Sequence, residues 1–106
     1  MPRKHNTDKQ GFSFSETIKQ SVWKKAEKVP GYDSQVTRKD RCGAWIDWDK
    51  YGDTTENGNG WEIDHKIPVA EGGTDEISNL QPLQWQNNRK KGDKYPAYKY
   101  CVVTAK

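Results

Sequence analysis

Leucine, isoleucine, valine and phenylalanine supply only 15 of the 106 residues, and just two of those are leucine. A chain this poor in aliphatics stays disordered if its net charge is also high, because too little apolar surface is buried to offset the entropy of ordering. Here the net charge is only +3, and five Trp and five Tyr stand beside the scarce aliphatics. Each such ring buries on the order of 150–250 Å² when packed. The sequence therefore predicts one small domain with a core pinned by aromatic rings.

No stretch approaches the ~18 consecutive apolar residues of a spanning helix. The polar, basic N-terminus MPRKHNTDKQ has no apolar run behind it of the kind a secretory signal needs. A cytoplasmic protein with no membrane partner is expected. Cys42 and Cys101 lie 59 positions apart without a CxxC spacing, which predicts free or buried thiols rather than a disulfide framework or a cysteine zinc site. Charge is segregated: residues 1–28 hold seven positive and three negative side chains, residues 29–80 five and eleven, and residues 81–106 six and one. That layout suits a polyanion held by Lys and Arg beside carboxylates that gather a cation. It equally suits an unevenly charged wet surface.

Residues 1–12 read as a flexible basic tail in which His5 has no partner at ligand spacing, and residues 13–106 as the folded domain. Ser13 and Glu16 fit a capping box. Phe14, Ile18, Val22 and Ala26 then recur every fourth position, predicting a helix over 14–28 that Pro30-Gly31 ends. Its lysines at 19, 24, 25 and 28 are the wet face of an amphipathic helix or contacts for phosphate. The run from Trp45 to Trp48 suits a strand, and 53–60 is a loop. Trp61 to Val69 alternates as a strand that Pro68 should end. A turn at 71–75 leads to a second strand over 78–84, and Trp85–Lys91 reads as a short helix with Gly92 as its C-cap. The expected class is α+β: a ββα unit over about 61–93 with an additional N-terminal helix.

The order Asp64-His65, then Asn79-Leu80, then Leu83 and Asn88-Arg89-Lys90-Lys91-Gly92-Asp93 resembles the signature of the HNH, or ββα-metal, endonuclease family, in the variant whose final His is Asn. That resemblance implies a divalent-metal-dependent DNA endonuclease, in which Asp64 and Asn88 bind one metal ion, Asn79 orients His65 and ties down the loop between the strands, and His65 sits over the phosphate. Such nucleases serve in restriction, repair, phages and mobile elements.

The residue types agree with that chemistry. Phosphodiester hydrolysis needs a base for water, a cation to neutralise developing charge, and groups that fix geometry. His65 is the one histidine outside the tail, and an imidazole of ordinary pKa, about 6.5, is mostly neutral above pH 7 and can accept a proton. One anionic and one neutral oxygen, from Asp64 and Asn88, suit a hard ion such as Mg²⁺, with Mn²⁺ as a substitute. Asn88 rather than Asn87 matches the family ending, and adjacent helical residues point about 100° apart. Lys66, Arg89, Lys90 and Lys91 are the candidate nucleic-acid contacts. One geometric condition follows: neighbours on a regular strand face opposite ways, so Asp64 and His65 share a site only if the strand ends or bulges there.

Many family members brace the unit with two CxxC pairs around a structural zinc. The matching positions here are Lys39, Cys42, Gln84 and Asn87, so no structural zinc is expected, and Trp45, Trp48, Trp61 and Trp85 are expected to replace it by packing. One ββα unit implies one site, so a monomer should nick, and double-strand cuts would need a homodimer or two visits. The rival readings are a catalytically inactive nucleic-acid-binding module on the same scaffold and a protein-interaction or toxin domain.

Overall fold

The computed structural model describes residues 4–56 and 58–105. Helix α1 (Glu16–Trp23) is capped by Ser15, whose hydroxyl accepts from the Ile18 amide at 3.2 Å. It is shorter than the expected 14–28. Beyond Trp23 the chain leaves the helix because Glu27 forms a β-bridge with Lys39. The buried Arg38 guanidinium takes the carbonyls of Lys24 and Ala26, at 3.1 and 3.2 Å, that a continuing helix would have used.

Strands β1 (Thr37–Lys39) and β2 (Trp45–Asp47) form a short antiparallel hairpin. The aromatic run expected as one strand becomes a 3₁₀ turn at Trp48–Lys50. Strands β3 (Trp61–His65) and β4 (Leu80–Gln84) form a second antiparallel pair, in which Ile63 faces Pro82, Asp64 faces Gln81 and His65 faces Leu80. Helix α2 (Trp85–Lys91) follows at once, started by the Gln84 side chain, which accepts from the amides of Gln86 and Asn87. Its C-cap is Gly92 at φ 53°. This is the α+β architecture anticipated, with the ββα unit in place. Among the described residues no helix is long and apolar enough to cross a membrane.

Both faces of the β3–β4 pair are covered, and every residue of both strands is buried. One face carries the aromatic core: Trp61 and Ile63 pack with Val22, Trp23, Ala26, Ile46 and Leu80. The Trp61 ring, fully enclosed, lies 5.2 Å from Trp23, 6.0 Å from Trp48 and 4.9 Å from Tyr51. These rings supply the area the missing aliphatics do not. The opposite face is polar, with Glu62 and Asp64 turned toward α2 by the two-residue period of the strand.

Two sequence expectations are corrected here. Cys42 and Cys101 are not free thiols: they form a disulfide, Cα atoms 5.4 Å apart, because the C-terminal segment returns across α2. Asn87 holds that return, its Oδ1 accepting from the amides of Val102 and Val103 and its Nδ2 donating to the Val103 carbonyl. Nor do four tryptophans fill the place of a zinc knuckle. Only Trp48 and Trp61 join the core, while Trp45 stacks on Tyr32 at 4.9 Å and Trp85 donates to the Thr55 carbonyl. The knuckle region is organised instead by the buried Asp40 carboxylate, which accepts from the amides of Cys42, Ala44 and Gln84 and from Asn87 Nδ2.

Candidate active site

On the polar face, β3 and α2 lock together through charge. Glu62, 2% exposed, accepts from Asn88 Nδ2 at 2.9 Å and from Arg89 at 3.1 and 2.9 Å. A carboxylate only accepts, so the amide nitrogen of Asn88 must face Glu62, leaving its Oδ1 as the atom able to serve a cation. The Glu62 hydrogen bonds also hold the Arg89 guanidinium above its ordinary pKa. Two residues along, Asp64 accepts from Gln81 Nε2 at 2.8 Å, a directly opposed cross-strand pair, and from Lys91 Nζ at 3.2 Å. Lys91 donates as well to the His65 carbonyl at 2.9 Å. Burial pushes the Asp64 carboxyl above the usual range despite the opposing pull of Lys91 and Gln81.

His65 ends β3 on the other face, its ring 5.9 Å from that of Phe14. The strand end is one of the two conditions the sequence set, and the open edge of β3 shows how opposite faces meet. Ile63 opposes Pro82, which has no amide donor. The Ile63 amide points away from β4 and donates to Asn6 Oδ1 at 2.7 Å. Against this edge lies a cavity of about 30 Å³ lined by Asp64, His65, Asn88, Asp93, Asn6 and His5 among others. That is the space of roughly one water or one ion.

The β3–β4 loop is closed by Asn79. Its Oδ1 accepts from the Ile67 amide at 2.9 Å, and its Nδ2 donates to the carbonyls of Ile67 and Thr74 at 3.1 and 2.8 Å. Those bonds help to end β3 before Pro68: the Lys66 amide still donates to the Asn79 carbonyl, but the Ile67 amide and carbonyl are taken by the Asn79 side chain. Gly73 lets the loop fold back, since a Cβ there would overlap the Ile67 carbonyl. The His65 ring is met by a different residue. Its Nε2 lies 2.7 Å from Asp75 Oδ1.

A family model, HNH endonuclease, matches residues 41–94, half of the chain. The chain belongs to the HNH endonuclease family. Nuclease-type cleavage of DNA is the activity of that family, and a divalent metal ion is what its domains generally bind. No curated protein and no solved structure matches the chain significantly.

Asp64, His65 and Asn88 thus come together at one cavity of this HNH domain, while Asn79 sits at the neck of the loop. Lys66 and Lys90 are exposed. Lys91, expected to reach a phosphate, is instead buried at 2% exposure on Asp64, and Arg89 spends its fork on Glu62. Four residues escaped the sequence reading. Glu62 carried a signal, its position two before Asp64 on the same strand face. Asp75 stood ten positions after His65 in what reads as a plain turn. His5 and Asn6 gave no signal, because only the path of the N-terminal segment brings them to the edge of β3. Residues 1–3 of the expected tail lie outside the described residues; of residues 4–12, Asn6 is hydrogen-bonded to β3 and Lys9 to the β3–β4 loop.

The donor set fits one hard divalent cation. Asp64 offers a carboxylate whose burial outweighs its cationic partner, and Asn88 an amide oxygen whose nitrogen is committed elsewhere. Among the described residues no cluster of three His, Cys, Asp or Glu forms an all-protein cage.

Proposed function

We propose that the protein is a divalent-metal-dependent DNA endonuclease that hydrolyses phosphodiester bonds with His65 as general base. The observation that carries this reading is the convergence of Asp64, His65 and Asn88 on one ion-sized cavity at the open edge of β3. With Nε2 engaged by Asp75, the other ring nitrogen of His65 accepts the proton of the attacking water. Asp64 and Asn88 Oδ1 are the groups that would hold a divalent ion such as Mg²⁺, which would supply charge neutralisation at the phosphate and the departing oxygen. Asn79 keeps the loop beside the ring in one shape, and Lys91 keeps the Asp64 carboxylate aimed and compensated. Exposed Lys66 and Lys90 contact flanking phosphates. One ββα unit offers one such site, so a monomer nicks one strand and a homodimer cuts both.

The test is incubation of supercoiled plasmid with the protein in Mg²⁺, in Mn²⁺ and in EDTA. Nicking in either ion and none in EDTA is expected. His65→Ala should lower turnover by about 10²–10⁴-fold while DNA affinity persists. Retardation of the plasmid without nicking in any ion would make the protein a binding module and refute the proposal.

A further inference from the structure

The reading above leaves open what sets the orientation and tautomer of His65, since the side chain of Asn79 is spent on loop backbone. We propose that Asp75 is the positioning residue for His65, and that the N-terminal segment completes the site by gripping the same carboxylate. This inference rests on His65 being the base.

Asp75 Oδ1 stands 2.7 Å from His65 Nε2, and the ring is almost wholly enclosed, its side chain 3% exposed. An ionised carboxylate offers no hydrogen, so the proton between them sits on Nε2. The lone pair is then on Nδ1, the nitrogen left to take a proton from water. A carboxylate in that place also offsets the positive charge the ring acquires during the step, the role of the third member in a nucleophile–histidine–acid triad.

Asp75 is itself held from two directions. The carbonyl of its neighbour Thr74 accepts from Asn79 Nδ2 at 2.8 Å, fixing the backbone. The Lys9 amide donates to both carboxylate oxygens, at 3.0 and 3.1 Å, fixing the head group. Lys9 is placed in turn by Asn6, three residues earlier, whose side chain accepts from the Ile63 amide of β3 at 2.7 Å. The order of support runs from β3 through residues 6–9 to Asp75 and back to the end of β3. An exposed ion pair would contribute little; this one has a buried ring and a carboxylate fixed at both ends, the arrangement expected of a group that acts through another. It also explains the contact of residues 4–12 with a site to which the sequence assigns them no part.

The experiment uses the full chain and the variants Asp75→Ala and Asp75→Asn, the second isosteric and able to keep the Lys9 contact if the first does not fold. Nitrogen-15 shifts of the His65 ring are read for the parent and both variants in the same buffer. The parent should show the Nε2–H tautomer, and both variants a mixture with Nδ1–H. On plasmid in Mg²⁺ kcat should fall about 10–100-fold with KM little changed, and adding Asp75→Ala to His65→Ala should cost nothing further. An unchanged tautomer in both variants, or an equal further loss in the His65→Ala background, overturns the proposal. Should the parent not cut DNA at all, the nuclease reading fails separately, and the tautomer alone decides whether Asp75 positions the ring.

Discussion

Replacing Lys91 by Met removes the charge that compensates Asp64 while keeping most of the side-chain volume. The lysine is 2% exposed and the aspartate 6%, so the remaining carboxylate would have Gln81 as its hydrogen-bond partner and no cation. Breaking one side of a buried pair costs about 3–5 kcal/mol. The His65 carbonyl, which accepts from the same ammonium at 2.9 Å, loses a partner too. For a domain of this size each kcal/mol moves the melting temperature by about 4–8 °C, so Lys91→Met in EDTA should melt at least about 12 °C below the parent. Because a cation held by Asp64 and Asn88 would supply the missing charge, Mg²⁺ should raise the melting temperature of the variant more than that of the parent. Lys91→Met with Asp64→Asn should recover much of the loss, since removing both charges is far cheaper than removing one. Circular-dichroism melts of the parent, the single variants and the double variant measure all of this. A single variant within about 2 °C of the parent, or a double variant no more stable than Lys91→Met, would refute the reasoning.

The Cys42–Cys101 disulfide spans a separation of 59 residues, for which the chain-entropy model gives about 4 kcal/mol. Urea titrations of the parent and of Cys42→Ser with Cys101→Ser should differ by roughly that amount, and reductant should reproduce the difference. Gly73→Ala should cost about 1–3 kcal/mol by overpacking against Ile67. It should also slow cleavage by displacing the loop that carries Asp75, with melts and plasmid assays reading the two effects separately. Lys66→Ala and Lys90→Ala should each weaken DNA binding across sequences and reduce the salt slope of the affinity by about one, as measured by fluorescence anisotropy at several ionic strengths.

The ββα unit was legible because its signals are local. The alternation of Trp61–His65, the breakers between the strands and the glycine after Lys91 each act within a few residues; both strands and the helix form in the expected order, with β3 ending earlier and β4 starting later than expected. The aromatic core was legible from composition alone. Lys91 was expected at a phosphate because it is a lysine three residues after Asn88, on the same side of the helix. It is buried because the face it meets, Glu62 and Asp64, is polar too. Helix α1 was drawn too long because the four-residue recurrence runs on to Ala26, while the bridge from Glu27 to Lys39 that ends it is a long-range event. The disulfide and the Asp40 network depend on the C-terminal segment crossing α2, and residues 5–9 depend on the N-terminal segment reaching the edge of β3. No window of sequence contains either meeting.

β3 carries two tasks within five residues: Trp61 and Ile63 belong to the aromatic core, while Glu62 and Asp64 anchor the second helix and His65, a candidate site residue, closes the strand. A domain with two leucines has no spare layer in which to separate these tasks. Selection for a faster enzyme and selection for a sturdier one therefore act on the same five consecutive codons, and laboratory evolution of either trait should be sought at Lys66, Lys90 and the outer loops before this strand is touched.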